Sequence, residues 1–218
     1  MSMGEASLRI TEIFYSLQGE ANTVGLPTTF VRLTGCPLRC TYCDSEYAFF
    51  GGEKLLLSDI ADKVKELGGR YVCVTGGEPL AQPNCLLLLS MLCDAGSSVS
   101  LETSGAMDIS NVDPRVNIVM DLKTPASGEA NKNMYDNILH LKPTDQVKFV
   151  ICDHADYQWA KFKLDEYDLL NRLSDVLFSP SFSQVKAKDL ADWILTDKLP
   201  VRFQMQLHKQ LWGDVAGV

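Results

Sequence analysis

The stretch TTFVRLTGCPLRCTYCDS, residues 28–45, joins a strand-like segment to a cysteine-containing loop. Its first part, TTFVRL (28–33), is rich in the β-branched and aromatic residues that favour strands. Gly35 and Pro37 then interrupt regular structure, so the following segment is predicted to be a loop. That loop contains Cys36, Cys40 and Cys43. Three potential metal-binding thiols therefore come directly after a predicted strand.

Strand-like and helical segments alternate along the rest of the chain. Six further segments have strand composition: YVCVT (71–75), SVSLET (98–103), VNIVMDL (116–122), QVKFVIC (146–152), DVLFS (175–179) and PVRFQMQ (200–206). Helical periodicity occurs in LSDIADKVKEL (57–67), NCLLLLSMLCDAG (84–96), NKNMYDNILHL (131–141) and AKDLADWILTDK (187–198). Such alternation indicates βαβ units around a mostly parallel sheet.

The number of these units predicts the architecture. Six or seven units fit an open, incomplete (βα)6-type barrel better than a closed eightfold barrel, which typically needs about 250 residues. No linker or low-complexity tract interrupts the 218 residues, so residues 1–218 are predicted to form a single domain. In this architecture ligands bind at the carboxyl ends of the strands, where the cysteine loop is expected to lie.

Composition narrows the classes of function. The net charge of -8 makes the chain a poor candidate for binding nucleic-acid phosphates, so we expect a small-molecule substrate. The start of the chain has no apolar signal segment, and the run CLLLLSMLC (85–93) is too short to span a bilayer. The seven cysteines have no disulfide-framework spacing, which favours reduced thiols in the cytoplasm.

Three cysteines are an unusual number for a metal site. A structural zinc site needs four ligands, whereas an iron–sulfur cluster held by three thiolates keeps one iron open to a further ligand. A zinc site completed by a distant His or Asp remains an alternative, although His140, His154 and His208 show no ligand spacing. Scattered core thiols are the other alternative, and the surrounding glycine and proline argue against it.

Two motifs resemble the radical S-adenosylmethionine (SAM) superfamily. CPLRCTYC (36–43) has the CxxxCxΦC form with Tyr42 as the aromatic residue, and VTGGEPL (74–80) contains the GGEP motif. The resemblance implies a 4Fe-4S cluster whose open iron binds the amino and carboxylate groups of SAM. In that superfamily, an electron from the cluster breaks the sulfonium C–S bond and releases a 5'-deoxyadenosyl radical.

Further motifs resemble one family in particular, the 7-carboxy-7-deazaguanine synthase (QueE) family of queuosine and 7-deazapurine biosynthesis. These motifs are FYSLQGE (14–20), FVRLTGC (30–36), CDS (43–45), TGGEPL (75–80), LETSG (101–105), DLKTPASGE (121–129), KFVICD (148–153) and QLHKQLWG (206–213). Two positions depart from the usual pattern: Ala21, where many relatives have a second glycine, and Ser45, where many have threonine. The resemblance implies conversion of 6-carboxy-5,6,7,8-tetrahydropterin to 7-carboxy-7-deazaguanine with loss of ammonia.

The resemblance also assigns residues to the substrate. It places Leu17, Gln18, Gly19, Glu20, Arg32 and Thr103 at the pterin, with the terminal carboxylate of Val218 folding back over it. Arg32 would form a fork on the substrate carboxylate. Without the resemblance, Glu20 could simply be a loop carboxylate, and Arg32 could be a strand residue that faces outward into solvent.

The remaining assignments concern SAM and magnesium. The SAM residues implied are Tyr42, Cys43, Asp44, Gly76, Gly77, Glu78, Gly105, Cys152, Asp153 and Ser179. The hydroxyl of Ser45 is expected to join a Mg²⁺ shell, with a helix N-cap as the alternative role. Asp121 and Lys123 could simply pair with each other.

Partners follow from the same resemblance. We expect a pterin substrate, a flavodoxin or ferredoxin as electron donor, a homodimer, and neither nucleic acid nor membrane as partner. A glycyl-radical activating enzyme, which acts on a protein backbone, and a zinc-binding interaction module are the rival interpretations. LQGE (17–20) and ETSG (102–105) argue against the first rival.

Overall fold

The computed structural model describes residues 6–68, 70–182, 184–213, 215 and 217. Within these residues one sheet contains nine strands: β1 Ser7–Leu17, β2 Pro27–Leu33, β3 Glu53–Leu56, β4 Tyr71–Gly76, β5 Ser98–Thr103, β6 Asn117–Asp121, β7 Gln146–Ile151, β8 Asp175–Pro180 and β9 Arg202–Phe203. The helices are α1 Leu57–Glu66, α2 Cys85–Asp94, α3 His154–Glu166, α4 Leu169–Arg172, α5 Ala187–Asp197 and α6 Leu207–Trp212.

The sheet is open and mostly parallel. Its strand order is β3-β1-β2-β4-β5-β6-β7-β8-β9, and every pair from β2 to β9 is parallel. Only β1 runs antiparallel to its neighbours β2 and β3 among the described strands. Because β3 and β9 are not paired with each other, the barrel is incomplete. The predicted fold class is confirmed.

Two hydrophobic clusters fill the space between the sheet and its helices. One joins α1 and α2 to β1, β2, β4 and β5, and it includes Leu88 and Val99. The other joins α3, α4 and α5 to β6, β7 and β8, and it includes Phe149 and Tyr157. Strands buried on both faces explain the nearly continuous apolar runs in the sequence.

Some elements differ from the sequence predictions. The strands β1 and β3 and the helix α3 were not predicted, and the last strand covers only Arg202–Phe203 rather than 200–206. The burial of β1 does not alternate cleanly, because one face contacts the core only in part. Its sequence pattern is therefore weak.

The predicted helix in NKNMYDNILHL (131–141) was wrong. The segment instead forms two short 3₁₀ pieces, Ala130–Lys132 and Tyr135–His140. The asparagine side chains of this segment bind the backbone of other loops: Asn133 Nδ2 donates to Lys123 O (2.9 Å) and Asn137 Nδ2 donates to Met107 O (2.8 Å). These tertiary contacts override the local helical pattern.

The parallel strands end together at one edge of the sheet. The last residues of β2, β4, β5 and β6 are Leu33, Gly76, Thr103 and Asp121. The loops that follow them share this edge, so the cysteine loop after β2 faces the GGEP loop after β4. In the part of the chain that is described, no helix has the length and apolar character to cross a bilayer.

We predict that Phe149→Ala destabilises the fold by about 3–5 kcal/mol, because it empties a fully buried site. Phe149 lies edge-on to Phe178, with ring centroids 5.5 Å apart. Phe162→Ala is the matched control, since Phe162 is 61% exposed, and it should change stability by no more than about 0.5 kcal/mol. Urea unfolding measures both, and equal effects would contradict the described core.

Candidate active site

A cavity of about 450 Å³ opens at the carboxyl ends of the parallel strands. Its wall comes from the loops after β1, β2, β4, β5 and β8 and from the segment that contains α6. The volume suits a small-molecule ligand, and the position is where parallel α/β sheets bind one. Most of the predicted site residues line it: Leu17, Gln18, Gly19, Glu20, Arg32, Cys36, Cys40, Tyr42, Cys43, Asp44, Ser45, Gly76, Gly77, Thr103 and Ser179.

The three cysteines of the loop after β2 all face this cavity and are free thiols. Burial raises the pKa of all three, that of Cys40 to about 11, so the thiols are protonated until a metal binds. No three His, Cys, Asp or Glu side chains in the described ranges could hold one metal ion together. In a four-iron cluster each thiolate binds a different iron, so its ligands need not converge on one point. The donor set therefore fits such a cluster.

Gly76 and Gly77 pack directly against the cysteine loop. Gly76 has a φ of +150°, and a Cβ there would lie 2.3 Å from Leu33 O. A Cβ on Gly77 would lie 2.2 Å from Gly35 O and 2.8 Å from Cys36 Cβ. Backbone hydrogen bonds join the two loops, since Glu78 N donates to Gly35 O at 2.8 Å. Only glycine allows this approach, which leaves bare backbone beside the thiols.

Glu78 is fully buried and binds the protein rather than facing the cavity. Its carboxylate accepts hydrogen bonds from Thr103 Oγ1 (2.9 and 3.0 Å), Ser104 N (2.7 Å) and Leu80 N (3.0 Å). These bonds tie the loop after β4 to the end of β5. The predicted contact of Glu78 with SAM stays a prediction, and its observed contacts support a scaffolding role.

The LQGE turn connects β1 and β2 at the opposite side of the cavity. Gln18 Nε2 donates to Glu102 Oε1 at 3.4 Å, and Gly19 O accepts from Leu207 N at 3.0 Å. A Cβ on Gly19 would lie 2.1 Å from His208 Nδ1, so the glycine makes room for the segment of α6.

Ala21 adopts a left-handed conformation with a φ of 63°. Glycine would adopt this geometry freely, whereas an L-residue in that region costs about 1–2 kcal/mol. Gln204 offsets the cost: its Oε1 accepts from Ala21 N (2.7 Å) and its Nε2 donates to Ala21 O (2.9 Å). These two hydrogen bonds therefore hold Ala21 in the left-handed conformation.

Buried charges form the floor of the cavity. Lys148 Nζ lies 2.6 Å from Glu20 Oε2 and 3.9 Å from Asp121 Oδ2, and Lys123 Nζ lies 2.9 Å from the same Asp121 oxygen. Burial alone would lower the pKa of both lysines, but the carboxylates outweigh it and hold each pKa above its usual value. For Glu102 burial is the larger effect, and its pKa is raised.

Sequence reasoning gave no role to Lys148 and no firm role to Glu102. The sequence signal for Lys148 was its position in the middle of QVKFVIC (146–152), a segment otherwise typical of a buried strand. A charged residue at such a position is rare unless it is paired. The expected pairing of Asp121 with Lys123 is confirmed.

Arg32 is mostly buried and faces the cavity, so it is not an outward, solvated strand residue. Its Nε donates to Glu12 Oε1 at 2.7 Å, and Tyr47 OH donates to the same oxygen at 2.9 Å. The guanidinium also lies 5.9 Å from the centroid of the Phe14 ring. These contacts hold one side of the Arg32 guanidinium in place against the cavity wall.

Four buried polar atoms of the cavity wall have no hydrogen-bond partner among the described residues: Tyr42 OH, Asp121 Oδ1, Ser179 Oγ and Ser181 Oγ. Buried polar groups are nearly always satisfied in folded proteins. These unsatisfied atoms therefore indicate a polar ligand in the cavity. Burial also raises the pKa of Tyr42, so its hydroxyl stays protonated and can donate.

The segment after β9 closes the cavity from outside. Lys209 Nζ lies 3.2 Å from Asp44 Oδ2, and Gln206 Nε2 donates to the same oxygen at 3.1 Å. Burial would raise the pKa of Asp44, but Lys209 and the hydrogen bonds from Gln206 and Ser45 lower it below its usual range. Val215 and Gly217 also line the cavity, whereas Val218 lies outside the described residues.

Besides Glu78, three predicted SAM residues do not line the cavity. Gly105 has a φ of +71° and packs near Met120. Cys152 is buried, and Asp153 caps α3 by accepting from Asp156 N at 2.8 Å. Their roles toward a ligand stay predictions.

Comparisons with known proteins agree with this geometry. The model of the Radical SAM superfamily matches residues 30–120. A 7-carboxy-7-deazaguanine synthase from Chlorobaculum tepidum is 44% identical, over 98% of this chain and 99% of its own length. A protein of the same name from Koribacter versatilis is 43% identical, over 94% of this chain and 97% of its own.

Solved structures show the same fold. The crystal structure of QueE from Escherichia coli matches with a TM-score of 0.78 at 23% identity, covering 94% of this chain and 96% of that one. Streptococcus suis SuiB bound to S-adenosylmethionine matches with a TM-score of 0.54 at 16% identity, covering 79% of this chain and 45% of that one. At these identities the likeness concerns the fold alone.

We predict that Gly77→Ala prevents cluster assembly and destabilises the protein by about 1–3 kcal/mol, because the new methyl group overlaps Gly35 O and Cys36 Cβ. Iron content after anaerobic reconstitution measures the first effect. Gly68→Ala is the control: its φ of +69° brings a strain of about 1–2 kcal/mol, but it has open space. It should keep the parent iron content, and a Gly77→Ala protein with full iron content would contradict the packing.

Proposed function

The chain belongs to the 7-carboxy-7-deazaguanine synthase family of the radical SAM superfamily, and from that premise we propose that it converts 6-carboxy-5,6,7,8-tetrahydropterin to 7-carboxy-7-deazaguanine with loss of ammonia. The step would serve queuosine and other 7-deazapurine biosynthesis. One observation carries the proposal most directly. Three free thiols and the LQGE turn, which approach from different sides, face one cavity of about 450 Å³.

Cys36, Cys40 and Cys43 are the residues that would hold a 4Fe-4S cluster, with SAM on its open iron. When bound, these groups supply one-electron chemistry that starts the reaction at a carbon of the substrate. Gly76 and Gly77 line the cavity next to the cysteine loop, where we expect the methionine part of SAM to bind. The cavity atoms without a partner, which belong to Tyr42, Asp121, Ser179 and Ser181, are candidate contacts for the polar groups of SAM.

The pterin is expected on the other side of the cavity. Gln18 carries both a donor and an acceptor, which suits the mixed edge of a pterin ring, and Glu20 accepts from its N–H groups. Thr103 adds a hydroxyl at the end of β5. Arg32 is expected to bind the substrate carboxylate with the part of its fork that Glu12 does not use.

The segment after β9 is expected to exclude water from the cavity. Asp44, next to the third cysteine, holds Lys209 and Gln206 over the cavity. A covered site strengthens every polar contact inside it and protects reactive species from solvent. Because Val215 and Gly217 line the cavity, the carboxylate of Val218 is a candidate contact of the substrate.

Magnesium is the second metal that we propose. The Ser45 hydroxyl lines the cavity and donates to Asp44 Oδ1 at 2.9 Å, so it is already oriented. Magnesium binds few protein ligands and keeps waters or substrate oxygens, which a single hydroxyl fits.

We further propose a flavodoxin or ferredoxin as electron donor, a homodimer and a cytoplasmic location, where thiols stay reduced. Neither nucleic acid nor a membrane is an expected partner. The continuous nine-stranded sheet supports residues 1–218 as a single radical SAM domain.

We predict that Ser45→Ala raises the magnesium concentration for half-maximal turnover by about tenfold, because an oriented ligand is lost. Ser110→Ala is the matched control, since its hydroxyl also donates to a neighbouring carboxylate, Asp108 Oδ2 at 2.9 Å, outside the cavity. It should leave the magnesium requirement unchanged. An unchanged requirement in Ser45→Ala would remove Ser45 from the proposed metal shell.

We predict that Cys40→Ala abolishes turnover of the carboxylated tetrahydropterin, because the cluster loses one of its three thiolates. The assay is anaerobic, with SAM, magnesium and a reductant, and it detects the deazaguanine product by absorbance and mass. Cys93→Ala is the control: Cys93 lies on α2, away from the cavity, and should retain parent activity. Full turnover by Cys40→Ala would refute the ligand assignment.

A further inference from the structure

The ion pair between Lys148 and Glu20 joins parts of the chain that are 128 residues apart. Lys148 lies in the middle of β7, and Glu20 ends the LQGE turn, which has no regular secondary structure after Leu17. The two atoms Nζ and Oε2 are 2.6 Å apart, and both side chains are about nine-tenths buried. Both residues also line the cavity.

A buried lysine is costly unless its charge is compensated. The groups that face Lys148 come from three further elements: Glu20 from the turn after β1, Asp121 from β6 and Glu102 from β5. Asp121 is shared, since Lys123 lies closer to it, at 2.9 Å, than Lys148 does, at 3.9 Å. Glu20 is therefore the close partner of Lys148.

The contact uses one oxygen of Glu20 only. Lys148 binds Oε2, so Oε1 is the oxygen that this pair leaves for a ligand in the cavity. The backbone of the turn fixes the same residue, since Glu20 N donates to Gln18 Oε1 at 3.3 Å. One rigid strand residue thus sets the direction of the carboxylate that ends a loop.

We infer that Lys148 is a positioning residue: it holds Glu20 as an oriented carboxylate that accepts hydrogen bonds from the N–H groups of the pterin. This inference rests on the proposed function and gives a role to Lys148, to which the sequence motifs assigned none. It concerns affinity for the pterin rather than the chemistry at the cluster. Lys148 acts through Glu20 and not by its own contact with the substrate.

The test compares Lys148→Met, Lys148→Arg, Glu20→Gln and the double variant Glu20→Gln/Lys148→Met in the reconstituted holoenzyme. Lys148→Met should raise the KM for 6-carboxy-5,6,7,8-tetrahydropterin by about tenfold or more and change kcat much less. Lys148→Arg, which keeps the charge, should recover most of the affinity. Substrate-free reductive cleavage of SAM is measured in every variant as the check that the cluster and its SAM site have assembled.

The double variant separates positioning from simple loss of structure. In the Glu20→Gln background, adding Lys148→Met should change KM by no more than about twofold, because Lys148 has no carboxylate left to position there. The double variant also replaces both charged groups of the pair, so it remains informative if Lys148→Met alone does not fold. Lys142→Met is the structural control, because it breaks the pair of Lys142 with buried Asp145, away from the cavity.

Lys142→Met should lower stability without moving KM. An unchanged KM in Lys148→Met, or an added loss in the Glu20→Gln background, would overturn the inference while the proposed function stands. A parent protein that cleaves SAM but forms no 7-carboxy-7-deazaguanine would overturn the proposed function, and the inference with it.

Discussion

The close packing of the cysteine loop on the GGEP loop is the constraint on which the site depends. Gly77 leaves no room for a side chain beside Gly35 and Cys36, and the hydrogen bond from Glu78 N to Gly35 O holds this contact. The parallel sheet brings the two loops together because neighbouring strands β2 and β4 end at the same edge. Three thiols that come from one short loop are thereby directed at one cavity and away from the core.

Buried charge is the second constraint. Two lysines, Lys123 and Lys148, and the carboxylates of Glu20, Glu102 and Asp121 lie at the bottom of one cavity. Each cation is held by a nearby anion, since unpaired charges there would cost several kcal/mol. Asp121 keeps one oxygen without a hydrogen-bond partner among the described residues, and Glu20, at the LQGE turn, binds Lys148 through Oε2. A polar cofactor and a polar substrate can thus be bound next to each other.

The sequence predicted the six inner parallel strands, three helices and the position of the cysteine loop, because these depend on local composition and on glycine. It missed β1, whose half-buried pattern is weak, and it mistook an asparagine-rich segment for a helix because Asn133 and Asn137 bind distant backbone. Contacts between residues that are far apart in the chain could also not be predicted from the sequence. The clamp of Gln204 on Ala21 and the pair of Lys148 with Glu20 exist only in the folded chain.

The central claim is that three thiolates hold a cluster with one iron left open for SAM. Electron paramagnetic resonance of the reduced, anaerobically reconstituted protein tests it directly, with and without added SAM. The account predicts a 4Fe-4S signal whose g-values shift when SAM is added, because the sulfonium compound becomes a ligand of that iron. Stoichiometric zinc in place of iron, or cluster g-values that do not change when SAM is added, would contradict this claim.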